Sequence, residues 1–145
     1  MSQLSKESRT EEIVTNTLSR EQILDQMRQV IDFLVSEGIE KVWVQYGWGC
    51  EIRTQDLWQS TMIDLSGLER FVCEAEQRAI YRVGHGDLIV GNEVADFELL
   101  FCHESDIHFK SRDFALIEKM KTLWKEANLT VMRKISNGEW TQVTE

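Results

Sequence analysis

Apolar residues recur along this chain with two different periods, and the switches between them outline its elements. Ile23, Leu24, Met27, Val30, Ile31, Leu34 and Val35 fall on one side of a 3.6-residue repeat, which predicts an amphipathic helix. Ser19 stands at its start with Gln22 three residues on, the pairing of a capping box, and Gly38 suits the left-handed position just past its end. Residues 1–18 are polar, rich in Ser, Thr and Glu, and lack a sustained apolar period. They read as a flexible leader to a single domain spanning 19–145.

Beyond Gly38 the period falls to two. Lys41 to Tyr46 (KVWVQY) reads as a strand, with Cys50 to Thr54 (CEIRT) as its hairpin partner across Gly47-Trp48-Gly49. Ser66 and Glu69 form a second capping box, followed by Leu68, Phe71, Val72 and Ala75 on one side of a short helix. AIYRV from Ala79, LIV after the Gly84–Asp87 turn and DFELLFCH after Gly91-Asn92 then read as strands in the middle of one sheet. In DFELLFCH both parities are partly apolar: Phe97, Leu99 and Phe101 on one, Leu100 and Cys102 on the other. That predicts a central strand covered on both sides.

A third helix is predicted from about Arg112 to Ala127, capped by Ser111, with Leu116, Ile117, Met120, Leu123, Trp124 and Ala127 inward. Asn128 can end it in the left-handed conformation, and LTVMRKI, SNG and EWTQVT then form a closing hairpin that turns at Gly138. The order helix, hairpin, helix, strands, helix, hairpin lacks a βαβ alternation. It predicts an α+β fold: a single, mostly antiparallel sheet with about three helices packed against it.

With 42% hydrophobic residues in 145, one core can form without disulfides or a structural metal. The net charge of −9 is uneven: residues 1–104 hold 19 acidic and 9 basic side chains, residues 105–145 hold 6 and 7. Such an acidic surface repels phosphate backbones, which argues against nucleic acid and leaves a basic protein partner, a small ligand or plain solubility, the last being the plainest reading. No apolar stretch has signal-peptide or membrane-span character, so a cytoplasmic protein with no membrane role is expected. Cys50, Cys73 and Cys102 are odd in number and form no CxxC pair, so free thiols are expected.

Cys102-His103-Glu104-Ser105-Asp106-Ile107-His108 is the densest cluster of reactive side chains. Cys102, His103, Asp106 and His108 offer sulfur, nitrogen and oxygen atoms of the kind zinc binds. Strand alternation sends Cys102 and Glu104 to one face and His103 to the other unless Ser105-Asp106 bends the chain; the plainer alternative is a turn with His108 outside it. There is no G-x-S-x-G elbow, and the glycine turns lack the lysine and strand-loop-helix context of a phosphate loop. No catalytic residue and no cofactor is implied.

Trp48, flanked by glycines, can present its indole as a contact platform with Tyr46 in the same parity; the plainer alternative is an indole folded over glycine backbone inside the sheet. Glu93, Asp96 and Glu98 cluster beside the central strand and are the first candidates for contacting a basic partner. The expected function is therefore a non-enzymatic acidic binding protein for a protein partner, such as an immunity or inhibitor-type protein against a basic toxin. The alternative is a metal-dependent hydrolase or metal-binding regulatory protein that uses the Cys102 to His108 cluster.

Overall fold

The computed structural model describes residues 10–134 and 140–143. It contains three α-helices, α1 (Arg20–Ser36), α2 (Leu68–Gln77) and α3 (Phe114–Glu126). The strands are β1 (Glu11–Thr15), β2 (Lys41–Tyr46), β3 (Thr61–Asp64), β4 (Leu88–Asn92), β5 (Phe97–Phe101), β6 (Ile107–Ser111), β7 (Val131–Lys134) and β8 (Trp140–Gln142). All eight join one antiparallel sheet in the order β3-β2-β4-β5-β6-β1-β7-β8. The expected α+β architecture, one sheet clad by three helices, is the one observed.

Strand parity sorts the side chains between two faces. One face carries the cross-strand row Val44, Val90, Leu99, Phe109 and Ile13, every member buried in the core that the helices complete through Met27, Val30, Leu34, Leu68, Val72, Ile117, Met120 and Trp124. The other face carries the neighbouring row Gln45, Ile89, Leu100, His108, Val14 and Met132, of which only Val14 is buried. Trp43 lies flat on this second face over Gly91, its partner across the β2–β4 ladder; a Cβ built on Gly91 would meet the indole at 2.1 Å.

β1 revises the N-terminal reading. Residues 11–15 are a strand seated between β6 and β7, with Ile13 wholly buried and Val14 and Thr15 nearly so. Residues 1–9 lie outside the described residues. Polar Glu11 and Glu12 at the front of this short strand hid it: their stems lie in the sheet while their carboxylates reach Arg133 and His108.

Several other boundaries move. Cys50 to Thr54 is a loop, and the hairpin partner of β2 is instead β3, whose mostly exposed residues give no alternation to read. AIYRV is not a strand: Tyr81 and Val83 are buried as alternation requires, but the Val83 N–H donates to the Glu76 carboxylate (2.9 Å) rather than to a ladder. β5 is central, yet covered fully on one side only, with Leu100 half-buried and Glu98 exposed.

The caps divide in the same way. Ser19 and Gln22 do form the capping box of α1, and Gly38 and Asn128 are both left-handed, at φ 92° and 66°. Ser66 instead sits inside a 3-10 turn (Leu65–Gly67), so α2 begins without a side-chain cap and Glu69 pairs with Arg28. Ser111 ends β6, its hydroxyl donating to the Asp96 carbonyl (2.6 Å), and Asp113 caps α3 by accepting from the Ala115 and Leu116 N–H groups. In the closing hairpin β7 pairs with β8, while the turn at Gly138 lies outside the described residues.

Candidate functional site

The chemistry-bearing residues gather at the end of the sheet where β2 stops and β4 begins. Asp87 ties the loops there together. Its carbonyl accepts from Gly47 N–H (3.0 Å) and its N–H donates to the Trp48 carbonyl (2.7 Å). Its buried carboxylate accepts both the backbone N–H of His103 (2.7 Å) and His103 Nδ1 (2.8 Å). The hydrogen bond to Asp87 is the largest influence on His103 and raises its pKa.

The 102–106 segment is a tight turn between β5 and β6. Cys102 N–H donates to the Asp106 carbonyl (2.9 Å), Ser105 N–H donates to the Cys102 carbonyl (3.0 Å), and Ser105 takes the left-handed conformation at φ 66°. Cys102 and Asp106 thereby face each other across the turn, and His108, two residues on, lies on the same face of the sheet. His108 Nε2 is 3.1 Å from Asp106 Oδ1 and His108 Nδ1 is 3.1 Å from Glu12 Oε2.

Burial alone pulls the His108 pKa down, but the hydrogen bonds and charges of Asp106 and Glu12 outweigh it and push it up to about 9. The bond to His108 is also the largest cause holding Glu12 below the usual carboxylate value. Burial pushes the Cys102 thiol up to about 12.

The four candidate ligands therefore divide into two sets that share Cys102. Cys102, Asp106 and His108 bring one donor atom each within 4.8 Å of one another, as do Asp87, Cys102 and His103. His103 and His108 do not meet in one set. Asp87 and Glu12 are the participants that the sequence does not single out: Asp87 closes the Gly84–Asp87 turn, and Glu12 lies in the segment that reads as a leader.

The contact-platform residues also separate. Trp48 is exposed (65%) and stands edge-on to Trp58 (46% exposed), with ring centroids 6.1 Å apart. Tyr46 turns inward, stacked on Phe71 at 5.8 Å. From the sequence, Trp58 lies beside a strand and is expected to pack inside or across a strand pair; the structure leaves it partly exposed instead. Its backbone is left-handed at φ 68°, an unusual conformation for a bulky residue. Its N–H donates to the Tyr46 carbonyl (2.9 Å), and its ring lies over Gly47, where a Cβ would meet it at 2.8 Å.

Beside this pair opens a cleft of about 630 Å³ lined by Arg20, Gly49, Glu51, Glu76, Tyr81, Arg82 and His85, among others. Gly49 and Gly86 let its two loops touch: a Cβ on Gly49 would strike the His85 carbonyl at 2.3 Å. Arg20 holds Glu76 through two bonds of 2.6 and 2.7 Å, while the Glu51 carboxylate has no ion-pair partner among the described residues. Tyr81 is buried at the back, its hydroxyl without a hydrogen-bond partner among the described residues and its pKa raised by burial.

Glu93, Asp96 and Glu98 do lie together, in a second cleft of about 430 Å³ at the far end of β4. That places them roughly 20 Å from Trp48, given a strand rise of about 3.3 Å per residue. Asp96 is already paired with Arg112 (2.8 Å) and Glu98 with Lys110 (3.7 Å). Among the described residues no helix is long and apolar enough to cross a membrane. Comparison of the chain with protein-family models, with curated proteins and with solved structures finds no match.

Proposed function

We propose that this α+β domain is a non-catalytic binding protein that captures a cationic protein partner on the Trp48–Trp58 pair and the adjoining cleft. The observation that carries the reading is the two neighbouring indoles left open to solvent, one of them on a left-handed backbone. Tryptophan dominates protein contacts because it offers a large rigid surface at little conformational cost. Keeping two of them in water, with strain at one, runs against stability and has a reason if a partner covers them.

The net charge of −9 steers positively charged partners towards the domain, and Glu51 offers the adjoining cleft a carboxylate without an ion-pair partner among the described residues, although Arg82 lines the same cleft. Glu93, Asp96 and Glu98 contribute to that long-range field rather than to the contact itself. Neutralisation of a basic toxin by an immunity or inhibitor-type protein is a function of this form.

Capture from extracts of the source cells tests it, with the immobilised wild-type domain beside a Trp48→Ala/Trp58→Ala variant. The reading expects a basic protein held by the wild type, released by added salt and absent from the variant. Identical captures by both proteins, or none by the wild type, would contradict it.

A further inference from the structure

Independently of that reading, we propose that Cys102, Asp106 and His108 form a binding site for a borderline divalent transition-metal cation such as Zn2+, with Glu12 as the positioning residue for His108. The three side chains supply one thiolate sulfur, one carboxylate oxygen and one imidazole nitrogen, the mixture such ions prefer over magnesium or calcium. Their donor atoms lie within 4.8 Å of one another. Zinc bonds of about 2.0–2.3 Å would draw tetrahedral donors to about 3.3–3.8 Å apart, so side-chain rotations that move the donors by about an ångström close the site.

The backbone holds two of these donors in place. Cys102 and Asp106 are cross-strand neighbours at the mouth of the β5–β6 turn, joined by the 2.9 Å bond from Cys102 N–H to the Asp106 carbonyl. Glu104 N–H donates to Cys102 Sγ at 3.4 Å, which offsets only part of the burial that keeps the thiol protonated, so the ion binds by displacing the protons of Cys102 Sγ and His108 Nε2 to solvent. His108 is oriented from behind: with Nε2 directed at Asp106, its Nδ1–H donates to Glu12 Oε2 at 3.1 Å. A carboxylate on the far nitrogen of a ligating histidine fixes the ring and strengthens it as a donor.

Trp140 stands edge-on to the imidazole, 5.9 Å between centroids, and shields it on the open face of the sheet. Three protein donors leave a fourth position for water or an exogenous ligand. The rival set of Asp87, Cys102 and His103 is a poorer site. Asp87 Oδ1 already accepts two hydrogen bonds that anchor the turn, and the His103 side chain is 44% exposed.

Cobalt(II) titration of the metal-free full chain tests the site, because tetrahedral Co2+ bound through sulfur shows both d–d bands and a thiolate charge-transfer band. The expected result is one equivalent of Co2+ with both features, bleached by Zn2+. Cys102→Ser should remove the charge-transfer band, and His108→Ala should abolish tight binding. Glu12→Gln should weaken binding about 10- to 100-fold while keeping the spectrum. His103→Ala should keep the one-equivalent stoichiometry and both bands, although the His103 ring touches Cys102 Sγ at 3.8 Å. Circular dichroism of each metal-free variant reports folding, and Asp106→Asn replaces His108→Ala if that variant unfolds. No tetrahedral spectrum, a charge-transfer band that survives Cys102→Ser, or binding lost with His103→Ala but kept in the His108 or Asp106 variant overturns the proposal.

Discussion

Glu12 of β1 and His108 of β6 meet across the ladder on the open face of the sheet, Oε2 to Nδ1 at 3.1 Å. The contact exists only because residues 11–15 complete the sheet between β6 and β7. The same strand that supplies Glu12 to one face supplies Ile13 to the other, so the candidate metal centre and the hydrophobic core share a structural member.

Ile13→Ala should accordingly lower the unfolding free energy by about 2–5 kcal/mol, the range for removing a fully buried branched side chain. Denaturant unfolding measures it. A segment that merely frayed from the domain would tolerate the change without loss.

The sequence and the structure agree where periodicity is long and caps are local. α1 shows this best: Ser19, Gln22 and Gly38 take their expected places, and Ile23, Met27, Val30, Ile31 and Leu34 are buried, while Leu24 is half-buried and Val35, at the end of the helix, is exposed. Disagreement follows from competition that spacing cannot reveal. Ser66 lost its cap role to a 3-10 turn, Ser111 lost its own to the Asp96 carbonyl, and AIYRV lost its ladder to a carboxylate on α2. For the site, Cys102, Asp106 and His108 were legible as residue types, and their shared face followed once the turn fixed Cys102 opposite Asp106. Glu12 and Trp58 were not, because each depends on a contact distant in sequence or on a backbone conformation that no local pattern encodes.

Gly91 is a second sensitive position. Alanine there would drive a methyl group into the Trp43 indole, so Gly91→Ala should destabilise by about 1–3 kcal/mol. Thermal unfolding of Gly91→Ala, Trp43→Ala and the double variant measures the coupling. The account expects the glycine substitution to cost much less once the indole is gone, whereas strictly additive effects would show that the two do not touch.

Acid stability should depend on Glu76. The hydrogen bonds from Arg20, aided by Val83 N–H, outweigh burial and hold its pKa below the ordinary 4.5. A carboxylate depressed in the folded state binds fewer protons there than in the unfolded chain. Its stabilisation is therefore complete above the unfolded value and lost as pH falls through the lower folded one. Glu76→Gln should be less stable than wild type at neutral pH, with the gap narrowing below pH 4.5. Urea unfolding across that range measures it; a gap that stays constant would show that the pair does not set the acid limit.

The exposed tryptophan pair should be detectable in the free protein. Iodide should quench part of the tryptophan fluorescence, and the quenchable part should fall in Trp48→Ala/Trp58→Ala to what Trp140, the less exposed indole, contributes, since Trp124 is fully buried. Unchanged quenching would place the accessible indoles elsewhere.

Calorimetric titration of the captured partner into wild-type, Trp48→Ala and Trp58→Ala domains tests the binding account most directly. Tryptophans at the centre of a contact are each worth about 2 kcal/mol or more, so each single variant should weaken binding at least about thirty-fold. Dissociation constants unchanged by both substitutions would contradict the account.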